Sequence, residues 1–323
     1  MNPLAPFLKN DGFVMLDGGL STQLEQVGAN MKGELWTSRV LLEQPELLHQ
    51  VHRQFLESGA DVIATATYQA SVDGFERAGL TAEEGLSLMQ KAVRIAVQER
   101  DDFWSEPGNR EGRLRPLVAA SLGPYGACLH DGSEYHGNYA IGVGELLEFH
   151  RARIGALADS GADLFAFETV PSMLEAKAVF QALSEFPDLF AWISFSCRDD
   201  RHVAHGELFS DCAELAAQQE QVVAVGVNCL PPENVSGLLQ SVADQGLPLA
   251  VYPNSGEYWD AEAQQWRGQV CGDMDVAGWY RHGARLIGGC CRTLSKDIQQ
   301  MRSSLKAALG LGLEKPIQPG QCE

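Results

Sequence analysis

No run of apolar residues in this chain approaches the ~20 that a membrane-spanning helix needs. The first ten residues, Met1–Asn10, lack the basic start and long apolar stretch of a secretory signal, so neither a membrane partner nor export is expected, and the expected compartment is the cytoplasm. Positive charge is also scarce. Lys and Arg total 24 against 43 Asp and Glu, a formal net charge of −19. Such a chain repels a phosphate backbone, and no basic run offsets this, which argues against a nucleic-acid partner. No low-complexity linker divides the sequence, and no G-x-G-x-x-G follows an apolar run, so the glycine signature of an open dinucleotide-type sheet is missing.

What is present is an ordinary globular composition, with 45% hydrophobic and 21% charged residues among 323, which excludes a disordered chain. There are eight cysteines. A chain of this length buries a core without covalent staples, so free thiols, some of them metal ligands, are expected in place of a disulfide scaffold.

Apolar, β-branched runs bounded by turn residues recur along the chain: Phe13–Asp17, Asp61–Thr67, Pro116–Leu122, Asp163–Thr169, Phe190–Cys197, Val222–Cys229, Leu247–Asn254 and Ala284–Cys291. They are nearly continuous, as strands covered on both faces are. Amphipathic stretches lie between them, including Pro45–Ser58, Glu83–Glu99, Glu145–Ser160 and Ser172–Phe186. Several end in a glycine that suits the helix C′ position directly before the next strand. Eight such units predict an α/β fold, a single (β/α)8 TIM barrel over residues 1–310, with a flexible tail over 311–323. Asp101–Arg115 and Cys128–Ala140 are expected to be exposed loops.

Barrel sites form where strands end. Those positions carry Asp17-Gly18-Gly19, Thr67-Tyr68-Gln69, Glu168-Thr169, Asn228-Cys229, Tyr252-Pro253-Asn254 and Gly288-Gly289-Cys290-Cys291. The sixth and eighth strands are two apart in the ring, so Cys229, Cys290 and Cys291 can meet above the mouth and hold a soft, tetrahedral metal such as zinc. The alternative is buried cysteines acting as small hydrophobes, and that is the expectation for Cys128, Cys197, Cys212 and Cys271. Cys322 is expected to be an incidental thiol in the tail.

The segments LDGG (16–19), TATYQAS (65–71), GPYGACLHDGSEYHGNY (123–139), FET (167–169), GVNC (226–229), LAVYPNSGEYWD (249–260) and RLIGGCCRT (285–293) together resemble the zinc-dependent homocysteine S-methyltransferases. The resemblance runs from about Asp17 to Thr293. It is nearest to the branch that uses S-methylmethionine or S-adenosylmethionine as methyl donor. It implies one zinc per chain on Cys229, Cys290 and Cys291, and transfer of a methyl group from a sulfonium donor to L-homocysteine, forming methionine.

No protein nucleophile is then needed. A free thiol is only a few per cent thiolate at neutral pH, and zinc supplies the deprotonation of the substrate thiol. The resemblance also puts Asp17 and Glu168 at the homocysteine site, with Gly18 and Gly19 permitting close approach. Two strand-end carboxylates are in any case available for an ammonium, although a turn-capping role for Asp17 and an ion pair for Glu168 are the alternatives. Asn228 either bonds the substrate or orients its loop. Tyr68, Tyr125, Tyr252 and Trp259 are aromatic candidates for the sulfonium, or else packing residues. His49 and His52 are expected on the surface, His202 and His205 in solvent, and His130 and His136 in the loop after the third strand. A selenocysteine or other thiol methyltransferase, or a non-catalytic zinc-binding protein, are the competing functions.

Overall fold

The computed structural model describes residues 1–30, 36–242, 245–260, 265–270 and 274–311. Cys271, Cys322 and the expected tail beyond residue 311 lie outside the described residues. The strands are β1 Val14–Met15, β2 Val62–Ala64, β3 Leu117–Leu122, β4 Leu164–Val170, β5 Ala191–Phe195, β6 Val222–Asn228, β7 Leu249–Tyr252, β8 Tyr258–Asp260, β9 Gln265–Arg267 and β10 Ala284–Ile287. Eight of them form one parallel sheet in the order β1-β10-β7-β6-β5-β4-β3-β2. A parallel bridge between Leu16 and Val62 joins its two ends, which closes the barrel. The expected eight strands are all there. The antiparallel hairpin β8–β9 is additional: it interrupts the seventh β-to-α connection and carries no long apolar run.

Helices cover the outside, among them Pro45–Glu57, Ala82–Ser105, Val143–Leu157 and Met173–Leu183. The glycines that end two of these connections, Gly59 and Gly161, have φ of 99° and 91°. That is the left-handed conformation needed to turn a helix end directly into a strand. The helix 82–105 is longer than its apolar period suggests. Phe103 and Arg100 are buried in it, and Pro107–Arg110 follows as a 3-10 turn, so most of the expected 101–115 loop is ordered helical structure. His52 corrects a second expectation. It is fully buried on the core face of the helix Pro45–Glu57 beside Val51, Phe55 and Leu56, and burial pushes its imidazole down to a pKa of about 3. His49, by contrast, is half-buried and meets Glu99 at 3.1 Å.

Alternation along each strand divides two cores. Phe165, Phe167, Ile193, Phe195, Val225 and Val227 point outward to the helices. Leu164, Ala166, Trp192, Ala224, Ala250 and Leu286 fill the lumen, together with Leu4 and Phe7 from the helix Ala5–Asn10 that precedes β1. Small side chains on four strands, Ala119, Ala166, Ala224 and Ala250, leave room for the one Trp, whose replacement by Ala would cost about 3–5 kcal/mol. Above this apolar layer the inward positions turn polar: Ser121, Glu168, Ser194, Asn228 and the hydroxyl of Tyr252.

Candidate active site

The polar layer is tightly bonded. The Asn228 amide oxygen accepts from the Thr169 backbone N–H and from Ser194 Oγ, both at 2.8 Å, while its Nδ2 donates to Thr169 Oγ1 at 2.8 Å. Trp192 Nε1 donates to the Tyr252 hydroxyl at 3.0 Å, and that hydroxyl bonds Ser194. Thr169 and Cys229 both have positive φ, 64° and 56°. A β-branched residue there is strained by about 1–3 kcal/mol. The two-point clamp from Asn228 holds Thr169 in that state. The neighbouring Cys229, itself left-handed, is thereby turned up out of β6 toward the mouth.

β6 and β10 are separated by β7 alone, and this brings three cysteines together. The sulfurs of Cys229, Cys290 and Cys291 all lie within 4.8 Å of one another. Cys229 Sγ and Cys291 Sγ are 3.7 Å apart. The edge of a tetrahedron with metal–sulfur bonds of about 2.3 Å is about 3.8 Å, so this spacing fits a metal ion. The Tyr135 hydroxyl lies 3.3 Å from Cys229 Sγ, and Asn228 Nδ2 points at Cys290 Sγ from 4.0 Å. Hydrogen bonds from Cys290 and then Cys291 hold the Cys229 thiol well below its usual range. That thiolate in turn pushes Cys290 and Cys291 well above theirs. Alone, the cluster holds one thiolate. Three require a cation among them.

Asp17 ends β1. Its Oδ2 accepts from the Ala64 N–H at 2.7 Å, and burial, with Glu168 adding to it, raises its carboxyl well above the usual range. Ser121 Oγ donates to Glu168 Oε1. Burial pushes Glu168 up to about 7, with Cys229 contributing. Among the described residues neither carboxylate has a cationic partner. Gly18 and Gly19 lie against the β10 loop: a Cβ on Gly19 would come within 2.6 Å of the Cys290 carbonyl, and one on Gly18 within 3.0 Å of the Thr293 carbonyl. Their smallness thus lets the Asp17 turn sit directly on the segment that carries two of the cysteines. Tyr68 packs its ring on Gly123, bonds Thr169, and is held neutral by burial and by the negative charge of Glu134 and Cys229.

Other candidates lie elsewhere. Tyr125 packs edge-on against Tyr139 and Phe149. Tyr252 is 5% exposed and belongs to the lumen network. The side chain of Trp259 lies outside the described residues. His202 and His205 pair with Asp199 and Glu207 at the rim. Cys128 and Cys212 are buried like small hydrophobes.

The segment Cys128–Ala140 is exposed along much of its length, as expected, but its path is ordered. Residues 125–139 fold into two 3-10 turns, Tyr125–Cys128 and Ser133–Tyr135, and Ser196 Oγ donates to the Glu134 carbonyl at 2.8 Å. Arg153, 2% exposed, braces the region from below by donating to the carbonyls of Thr67, Tyr68, Ala70 and Gly123 at 2.5 to 3.2 Å. Sequence reasoning passed over Tyr135 and Glu134. The available signal was their place in a Gly-punctuated segment following β3.

The model of the homocysteine S-methyltransferase family matches residues 14–305. Homocysteine S-methyltransferase YbgG of Bacillus subtilis is 45% identical over 305 residues, covering 93% of this chain and 97% of the relative. The chain belongs to the homocysteine S-methyltransferase family. Two crystal structures of the homocysteine methyltransferase MmuM of Escherichia coli are similar throughout. The oxidized form has a TM-score of 0.85 at 40% identity, covering 94% of this chain and 100% of that one. The metallated form has 0.83 at 41%, covering 95% and 99%. As a homocysteine S-methyltransferase, the chain is an enzyme that moves a methyl group onto homocysteine and so forms methionine. The three-sulfur cluster is the part of this barrel suited to a metal ion. No helix among the described residues is long and apolar enough to cross a membrane.

Proposed function

We propose that this homocysteine S-methyltransferase is a zinc enzyme of the cytoplasm that takes its methyl group from a sulfonium, S-methylmethionine or S-adenosylmethionine. The observation that carries the reading is the convergence of three sulfurs, within 4.8 Å, beside the buried Asp17 and the half-buried Glu168, which lack a cation among the described residues. An all-thiolate, tetrahedral donor set favours zinc among the abundant divalent metals. Cys229, Cys290 and Cys291 would hold it. Bound there, zinc supplies the deprotonation of the homocysteine thiol at neutral pH.

The protein's own residues do the rest. Asp17 and Glu168 receive the homocysteine ammonium, which supplies the positive charge both carboxylates lack. Asn228 and Thr169 fix the turn that carries Cys229. Tyr135 donates to the Cys229 sulfur and, with Tyr68 and the turns of 125–139, keeps water from the mouth. In the transfer, an electron pair on the acceptor sulfur forms the bond to the methyl carbon. The bond from that carbon to the donor sulfur breaks, and its pair stays on the donor, which leaves as a neutral thioether.

Methionine formation from homocysteine with each sulfonium supplied separately tests this, alongside metal analysis of the reduced protein. Turnover with either donor and one zinc per chain supports the reading. Zinc without turnover on any sulfonium points to a zinc-binding protein or to another acceptor, such as a selenol.

A further inference from the structure

One carboxylate at the mouth is not used by the account above. Glu134 lies in the turn Ser133–Tyr135, next to the tyrosine whose hydroxyl touches Cys229. The turn is built to hold it there. Ser196 Oγ bonds its carbonyl, Asp131 accepts from the Ser133 N–H at 3.0 Å, and a Cβ on Gly126 would come within 2.6 Å of its nitrogen. Yet Glu134 Oε2 is buried without a hydrogen-bond partner. Burial, the Cys229 thiolate and Asp131 together raise its carboxyl to about 7. No described Lys, Arg or His forms an ion pair with it. A carboxylate oxygen sealed from solvent this way is costly unless a cation arrives. A metal on the cysteines does not provide that charge, since three thiolates outweigh a divalent ion.

The geometry points to Glu134 as the residue that receives a positive group of the methyl donor. This rests on the sulfonium reading. Homocysteine brings a single ammonium, and Asp17 and Glu168, which act on each other, already face it from the barrel floor. The apolar layer closes the barrel below, so the donor enters from the side of the turn. Both candidate donors are cations that carry a sulfonium and a methionyl ammonium. Either group meets the same carboxylate chemistry.

The test is Glu134→Gln in the metal-loaded enzyme, with homocysteine and S-methylmethionine varied separately. The donor KM, and its Kd by calorimetry, should rise roughly 30-fold, as when one partner of a buried charge pair is removed. The homocysteine KM should stay within about twofold and the metal content unchanged. Glu134→Asp should recover part of the loss. Dimethylsulfoniopropionate, a sulfonium without an ammonium, tells the two cations apart as a competitor: equal weakening assigns the sulfonium, no weakening the ammonium. An unchanged donor KM and Kd, or a parallel rise in both KM values, overturns the assignment while leaving the donor reading intact. A wild-type enzyme that turns over no sulfonium overturns both.

Discussion

One acid, Asp163, directly precedes β4 and another, Glu168, lies near its C-terminal end, and the two are treated in opposite ways. At its start Asp163 accepts from Arg100 at 2.7 Å and from the Val118 N–H at 2.7 Å. Asp61, before β2, is likewise met by Arg302 at 2.8 Å and the Met15 N–H at 2.9 Å. At the other end of the same barrel the buried Asp17 and the half-buried Glu168 and Glu134 have no cation among the described residues. The N-terminal end completes its own charges and stabilises the fold. The C-terminal end leaves charges and strained backbone that, on the proposed reading, metal and substrates complete.

Substitutions at the two ends should therefore fail differently. The largest effect is expected for Cys229→Ser, which removes one of the three proposed metal ligands. Metal content should fall to background and turnover should drop by more than the roughly 100-fold that losing a ligand's supporting partner costs. At the opposite end, Arg302→Met strands the Asp61 carboxylate and should cost about 3–5 kcal/mol in denaturant unfolding, with no change in the homocysteine KM. Glu168→Gln should show the reverse pattern. The homocysteine KM should rise roughly 10- to 100-fold, as for a lost charge-assisted bond, while stability at pH 7 holds or improves.

Acidity gives a further contrast. The folded protein keeps Glu168 and Glu134 protonated up to about pH 7, against a usual value of 4.5. Between those values the folded state binds more protons than the unfolded one, so stability falls as pH rises. His52, held neutral by burial, acts in the opposite sense in any variant that keeps it, so the contrast is read as a difference: between pH 5.5 and pH 7.5 the unfolding midpoint of the metal-free protein should fall relative to that of the double variant Glu134→Gln with Glu168→Gln. The smallest effect is expected for Tyr135→Phe. Losing its hydroxyl bond to Cys229 should reduce metal affinity or turnover by about tenfold, measured by chelator competition and steady-state rates.

The closed barrel is legible in the sequence because eight apolar runs, each followed by an amphipathic period, leave little choice of architecture. The cysteines are legible because they fall at two strand ends that the ring brings together. The polar lumen is harder to read: Ser121 and Ser194 look like ordinary strand residues until alternation is counted on each strand from the apolar lumen positions below them. Glu134 and Tyr135 escape because nothing in a Gly-rich segment reveals that it folds back over the mouth. His52 misleads in the other direction, since a histidine beside His49 suggests a wet helix face while its actual neighbours are Val51 and Phe55.

The central claim is that three sulfurs from β6 and the β10 loop form one metal centre that the reaction requires. Its most direct test is elemental analysis of the reduced protein and of Cys229→Ser, with methionine formation measured on the same samples. One zinc per chain in the first, with metal and turnover both absent from the second, is the expected result. A variant that keeps its zinc and its activity, or a reduced wild-type protein that is active without metal, would contradict it.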